Sequence, residues 1–411
     1  MRDDSKRGLK PKLRFPEFQD AEGWAVDGLG NVAEFVSDRI PLERIGVENY
    51  VSTENILPDF GGLTTASRLP TTGSATRFKV NDILVSNIRP YLRKVWFSDK
   101  DGGASNDVIV IRPKHNLSSQ YFPFILKNDS FIAYVMRGAK GVKMPRGDVS
   151  LMREYPVVYP SIPEQQKIAE CLTSLDELIS AHDRKLDALK AHKKGLMQQL
   201  FPRKDETVPR LRFPEFQDAP EWAPRELGEF ITERDQYPTA KVPLFSLTIE
   251  DGITPKTERY ERSFLVNDEV DAYKLVLPDD FAYNPMNLRF GAIGRHTGQN
   301  AVAVSKYYNV FYCDNTVNPR FCEIYFKSQE MVAYYDDMAI GSLIEKRRVH
   351  FSAFLKFNIC FPELAEQQQI AECLSSLDEI ILAQAQKLEA LKTHTKGLME
   401  QLFPSAEDGE A

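Results

Sequence analysis

Two stretches of this chain carry apolar residues at alternating spacings of four and three. The first runs Ile168, Leu172, Leu175, Ile179, His182, Leu186, Leu189, Lys193, Leu196, Leu200, and the second runs Ile370, Leu374, Leu377, Ile381, Gln384, Leu388, Leu391, Thr395, Leu398, Leu402. A seam of that period is a heptad, and it predicts two long helices, each roughly 57 Å at about 1.5 Å per residue. Pro163 and Pro362 stand near the starts and Pro202 and Pro404 mark the ends, where proline is tolerated or stops a helix. So long a seam needs a partner, and the cheapest is the other helix of the same chain, paired antiparallel about a pseudo-two-fold axis. The polar seam positions (His182 with Gln384, Lys193 with Thr395) match each other, and such residues give up stability to fix register. Gly195 and Gly397 recur inside the helices at a cost of about 1 kcal/mol each relative to alanine. Close approach by another subunit explains the recurrence, and so does common ancestry.

Outside these helices the pattern is mixed α and β. Thr76 to Ser86 alternates apolar and polar residues like a strand pair with a turn at Asn81-Asp82, and Val108–Ile111 and Val302–Val304 read as further strands. Tyr121 to Arg137 and Pro319 to Ala339 read as helices with aromatic residues on one face. A short basic loop then leads to a last strand, Tyr155–Tyr159 in one half and Phe357–Phe361 in the other.

The two halves are copies in part. Leu13-Arg14-Phe15-Pro16-Glu17-Phe18-Gln19-Asp20 recurs unchanged at 211–218, an offset of 198 that Trp24 and Trp222 keep. Glu164 to Pro202 matches Glu366 to Pro404 at an offset of 202, with 28 of 39 positions identical. Between these blocks, 31–162 and 229–364 share almost no readable identity. Frames that stay alike around lobes that differ fit two copies of one partner on the frames and two different targets on the lobes.

Composition narrows the choices. The net charge of −7 disfavours phosphate binding at first sight. Its distribution is uneven: residues 26–160 carry 17 Lys and Arg against 14 Asp and Glu, 224–362 carry 16 against 19, and 363–404 carry 3 against 7. A basic face on each lobe therefore stays open. The five cysteines include no C-x-x-C pair, which argues for reduced thiols in a cytoplasmic protein over a zinc site. No apolar run approaches a membrane span or a secretory signal. Asn284-Pro285-Met286 lacks the second proline and the aromatic residue of an amino-methyltransferase site, and no phosphate loop or H-E-x-x-H motif is present. His296 and His350 are isolated.

Asn87-Ile88-Arg89-Pro90-Tyr91-Leu92-Arg93-Lys94, followed by Ala104-Ser105-Asn106-Asp107, resembles the target-recognition domain of the specificity (S) subunits of type I restriction–modification systems. So does Gly141-Val142-Lys143-Met144-Pro145-Arg146 shortly before Glu164-Gln165-Gln166. Tyr283-Asn284-Pro285-Met286-Asn287-Leu288-Arg289 and the loop from Gly341 to Arg348 look like a second version. The resemblance covers nearly the whole chain and rests on the doubled order of the motifs. It implies an α+β fold: target-recognition domains at 11–162 and 209–362, frame helices at 163–202 and 363–404 forming an antiparallel coiled coil, a linker at 203–208 and a tail at 405–411. It also implies a non-catalytic subunit that binds double-stranded DNA, two methyltransferase (M) subunits and, with them, restriction (R) subunits. S-adenosylmethionine, ATP and Mg belong to those partners.

The candidate DNA-binding residues are Asn87, Arg89, Tyr91, Arg93, Lys94, Lys143 and Arg146 in the first lobe. In the second they are Asn284, Asn287, Arg289, Lys346, Arg347 and Arg348. Arginine grips phosphate or guanine and asparagine pairs with adenine, but a turn-capping Asn87 or an ion-paired Arg89 is the plain alternative. Two rival functions remain: a methyltransferase fused to its reader, which the missing cofactor loop opposes, and a coiled-coil scaffold that binds protein without DNA recognition.

Overall fold

The computed structural model describes residues 9–203, 206–256, 272–341 and 347–404. The chain divides into two compact units, one made of residues up to 183 together with those from 387 onward, the other of residues 184–386.

The first unit runs β1 (Ala25–Gly28), α1 (Leu29–Val32), β2 (Ala33–Phe35), β3 (Arg39–Pro41), β4 (Tyr50–Val51), β5 (Ser74–Phe78), β6 (Ile83–Ser86), β7 (Val95–Phe97), β8 (Gly102–Ala104) and β9 (Val108–Pro113). Then come α2 (Phe122–Leu126), α3 (Asp129–Arg137), α4 (Val149–Glu154), β10 (Pro156–Tyr159) and the start of α5 (Ile162–Leu200). One sheet has the order β2-β9-β6-β7, a second β3-β5-β8-β4, and β1 pairs with β10. Thr76 to Ser86 is thus not the hairpin its alternation predicts. β5 and β6 are both strands but lie in different sheets. All four residues of β6 are buried, so it takes partners on both sides, β9 and β7. The turn between β5 and β6 is a corner, fixed by Asp82, whose carboxylate accepts from the Lys79 backbone N–H at 2.8 Å and from Arg112 at 2.7 Å.

The second unit runs β11 (Ala223–Glu226), β12 (Ile231–Glu233), β13 (Phe245–Thr248), β14 (Gly252–Pro255), β15 (Tyr273–Val276), β16 (Phe281–Tyr283), β17 (Ile293–Arg295), β18 (Val302–Ser305) and β19 (Asn309–Cys313). It continues with α6 (Pro319–Phe326), α7 (Gln329–Met338), α8 (Phe351–Phe354), β20 (Asn358–Phe361) and the start of α9 (Leu364–Leu402). The sheet β12-β19-β16-β17 repeats the order of β2-β9-β6-β7, and Phe281 faces Phe311 as Ile83 faces Ile111. β11 pairs antiparallel with β20 as β1 pairs with β10. The other strands do not repeat: β13 pairs with β14 and β15 with β18 as separate ribbons.

Each expected aromatic helix is two helices. Asn128 ends the first run and caps α3, its Oδ1 accepting from the Ser130 N–H at 3.0 Å. Ser328 does the same for α7, its Oγ accepting from Met331 N–H at 3.2 Å. A side-chain oxygen that satisfies an orphan N–H starts a helix afresh. The short helices α4 and α8, between basic loop and last strand, were not expected from the pattern.

The long helices form as the heptads predict. Ile168, Leu172 and Leu175 of α5 share the first unit's core with Leu398, Met399 and Leu402 of α9. Leu196, Met197 and Leu200 of α5 share the second unit's core with Ile370, Ala371 and Leu374 of α9. Each unit therefore sets the beginning of one helix against the end of the other, an antiparallel pairing. Within the second unit, Lys193 Nζ donates to both oxygens of Asp378 at 2.5 and 2.6 Å. Gln384 and Thr395 are buried. Among the described residues, a Cβ added at Gly195 or Gly397 would meet nothing within 4 Å, so no close approach there calls for these glycines. No helix among the described residues is long and apolar enough to cross a membrane.

Candidate nucleic-acid interface

In the first unit, two loops of the predicted set are stitched together. The Arg89 N–H donates to Pro145 O at 2.8 Å and the Gly147 N–H donates to Asn87 O at 3.1 Å. Lys140 and Arg146 close the second loop by exchanging backbone bonds of 2.9 and 3.0 Å. Arg89 and Arg93 bracket the turn Pro90–Leu92 with φ of 51° and 53°, a left-handed backbone that is strained for residues with a Cβ.

The side chains divide into two groups. Arg93 has partners within the chain: its guanidinium donates to Asp59 at 2.9 and 2.6 Å and to Asp129 at 2.9 Å. Burial raises the Asp129 carboxyl, but Arg93 and Lys396 outweigh it and hold the group below the usual carboxylate range. Lys94 Nζ donates to Thr53 O at 2.7 Å, and burial lowers its ammonium below the usual lysine range. Tyr91, Lys143 and Arg146 are exposed. Arg146 forms an ion pair with Asp107 at 3.1 Å. Asn87 Oδ1 and Arg89 Nε are buried with no hydrogen-bond partner among the described residues. Neither is the turn cap or the ion pair that would explain it away, and a buried polar atom without a partner is costly.

The second unit places its loops in the same way. Ile340 and Arg348 exchange backbone bonds of 3.0 Å each, and the Val349 N–H donates to Pro285 O at 3.0 Å. Arg146 and Arg348 thus occupy corresponding closing positions, both with exposed side chains. Asn284 builds a turn, its Oδ1 accepting from Met286 N–H at 3.0 Å. Asn287 is exposed. Arg289 Nε lies 3.0 Å from Asp336 Oδ1. Arg347 donates from Nε to Ala339 O at 3.0 Å and from Nη1 to Asp336 Oδ1 at 3.3 Å. Arg289 and Arg347 therefore converge on one carboxylate of α7. Lys346 lies outside the described residues.

Sequence reasoning missed the segment 52–71 of the first unit. It is pinned to the predicted loop: the Asp59 N–H donates to Leu92 O and the Phe60 N–H to Arg93 O, both at 3.0 Å. The one signal for it was the polar run Thr64-Thr65-Ala66-Ser67-Arg68 between strands.

The arrangement is that of two α+β units with alike frames and unlike polar loops. The model of the type I restriction modification DNA specificity domain matches residues 21–191 and 290–393, more than half of the chain, and the chain belongs to that family. Within it, the chain is a specificity subunit of a type I restriction–modification system. It is 21% identical over 418 residues to the type I restriction enzyme MjaVIII specificity subunit of Methanocaldococcus jannaschii, covering 95% of this chain and 93% of that one. It is 24% identical over 317 residues to the putative type I restriction enzyme MjaX specificity subunit of the same organism, covering 72% and 70%. The fold is similar to the crystal structure of a type I S subunit from M. genitalium, with a TM-score of 0.59, 15% identity and coverage of 97% of this chain and 100% of that one. A chain solved in work on complex assembly and conformational transition of the type I R-M system matches with a TM-score of 0.55, 16% identity and coverage of 93% and 98%.

Proposed function

We propose that this specificity subunit reads a split, asymmetric site in double-stranded DNA, one half per unit, and docks two M subunits on α5 and α9. R subunits join through that assembly in the cytoplasm. S-adenosylmethionine, ATP and Mg are held by the partners, and this chain contributes position without chemistry. One observation carries the reading: the same frame, Arg14 on Glu164 and Arg212 on Glu366, supports loop faces of unlike sequence. A shared frame suits two copies of one partner, and unlike loops suit two different half-sites. Gly195 and Gly397, open to the outside of the chain, add support for a partner against the helices.

The test is a lobe exchange. Residues 31–160 are replaced by the corresponding lobe of another family member, and the host's methylated sites are mapped by sequencing. One half of the site should change while the other half stays. A change in both halves together, or in neither, overturns the reading.

A further inference from the structure

A cleft of about 520 Å³ opens in the first unit, and Tyr50, Glu54, Arg68, Ser105 and Asp107 are among the residues that line it. It adjoins the predicted loops, because Asp107 on its wall pairs with Arg146 at 3.1 Å. Its outer wall is built before any ligand arrives. Asn55, buried, accepts at Oδ1 from Ser52 N–H at 3.1 Å and Ser52 Oγ at 2.7 Å. The Thr64 N–H donates to Asn55 O and the Leu57 N–H to Gly62 O, each at 2.9 Å. Lys94 fastens the same wall at Thr53 O.

The chemistry of the lining separates two uses. A phosphate site wants cations and N–H donors and is opposed by carboxylates. This cleft sets two carboxylates, Glu54 and Asp107, beside one guanidinium. Base edges in the major groove present acceptors and donors side by side: guanine O6 and N7 accept, cytosine N4 donates. Arg68 is exposed and, among the described residues, forms no ion pair, so its fork is available to a ligand.

Building on the DNA-reading function proposed above, we propose that this cleft is where the first unit reads base edges, with Arg68 gripping a guanine and Glu54 accepting from a cytosine amino group, while Arg146 beside it holds the backbone. The mixed lining belongs to readout and the exposed Arg146 next to it to positioning.

The experiment is selection from a duplex library with both half-sites randomised, using the full-length chain. The wild-type chain is compared with Arg68→Ala, Arg68→Lys and Glu54→Gln. Arg68→Ala should relax one position of one half-site by about 5- to 150-fold in discrimination and leave the other half unchanged. Arg68→Lys should relax the same position, since lysine lacks the planar fork. Glu54→Gln should relax a different position of the same half. An unchanged motif in all three variants overturns the assignment, as does a loss of affinity across every sequence with the motif intact. Should Arg68→Ala enrich nothing, Arg68→Lys decides: a relaxed position supports the cleft and an unchanged motif overturns it. A wild-type chain that enriches no sequence overturns DNA reading itself, and the cleft with it.

Discussion

Arg14 donates to both oxygens of Glu164 at 2.8 and 2.7 Å, and Arg212 repeats the grip on Glu366 with the same two distances. Each arginine also donates to two carbonyls of its own loop, Ala21 and Glu22 in one copy and Ala219 and Pro220 in the other. The repeated octapeptide is therefore a clamp on the first turn of a frame helix, where a carboxylate also meets the positive end of the helix dipole. The hydrogen bond to the glutamate is the main reason both guanidinium groups are raised above the usual arginine range. The neighbouring glutamines complete the joint. Gln165 Nε2 donates to Pro160 O and Gln367 Nε2 to Pro362 O, both at 2.9 Å.

Removing one side of such a buried pair strands the other. Arg14→Ala should destabilise the first unit by about 3–5 kcal/mol and Arg212→Ala the second by a similar amount. Two units need not unfold together, so the measurement is hydrogen exchange along 162–183 and 364–386. Protection should fall in the first segment for Arg14→Ala and in the second for Arg212→Ala. Unchanged protection would show that the clamp holds nothing.

The caps at Asn128 and Ser328 make a smaller and separate prediction. Asn128→Ala and Ser328→Ala should each cost about 1 kcal/mol, because the N–H of Ser130 or Met331 loses its acceptor. Urea denaturation followed by helix signal checks this. A cost within error of zero would mean that α2–α3 and α6–α7 break for packing reasons alone.

How much of this was legible depended on how local each feature is. The heptads and the repeated blocks are written in spacing and identity, so the long helices and the doubled order of elements were readable. The breaks at Asn128 and Ser328 were hidden by apolar residues that continue on both sides, Phe122 to Leu126 and Phe131 to Ile132 in the first unit, although Asn128-Asp129-Ser130 carries a cap signal. The partner of β6 was not legible, since alternation says that a residue faces a core but not which sheet supplies it. At the site, the sequence marks the basic residues but not what each one touches. Arg93 and Lys94 are in fact held by Asp59, Asp129 and Thr53, and Arg289 and Arg347 by Asp336. All but the Arg347–Asp336 pair, 11 residues apart, are distant in sequence, and no local pattern announces them.

The helix pair predicts a register test. Four residues inserted in α5 beside Ser180 add a stutter, which shifts the seam against its partner. Lys193 would then lose its position opposite Asp378. The gap between the two half-sites, read from the host's methylated sequences, should change, or methylation should fail. An unaltered gap with full methylation would remove the helices as the ruler.

Arg146 and Arg348 close equivalent loops, with backbone exchanges of 2.9 and 3.0 Å in one unit and 3.0 Å in the other. Under the proposed reading of two different half-sites, a residue equivalent in both units suits phosphate, which is the same everywhere, better than base identity. Arg146→Ala and Arg348→Ala should therefore each weaken binding across all sequences and reduce the salt slope by about 1, without changing the target. Arg146 has an additional cost to overcome, since binding phosphate must compete with Asp107 at 3.1 Å, and Asp107→Asn should tighten non-specific binding where Arg146 is intact. Fluorescence titration of a duplex at several salt concentrations measures both effects. An unchanged affinity and slope would assign the two arginines to structure, and a changed target would move them to base readout.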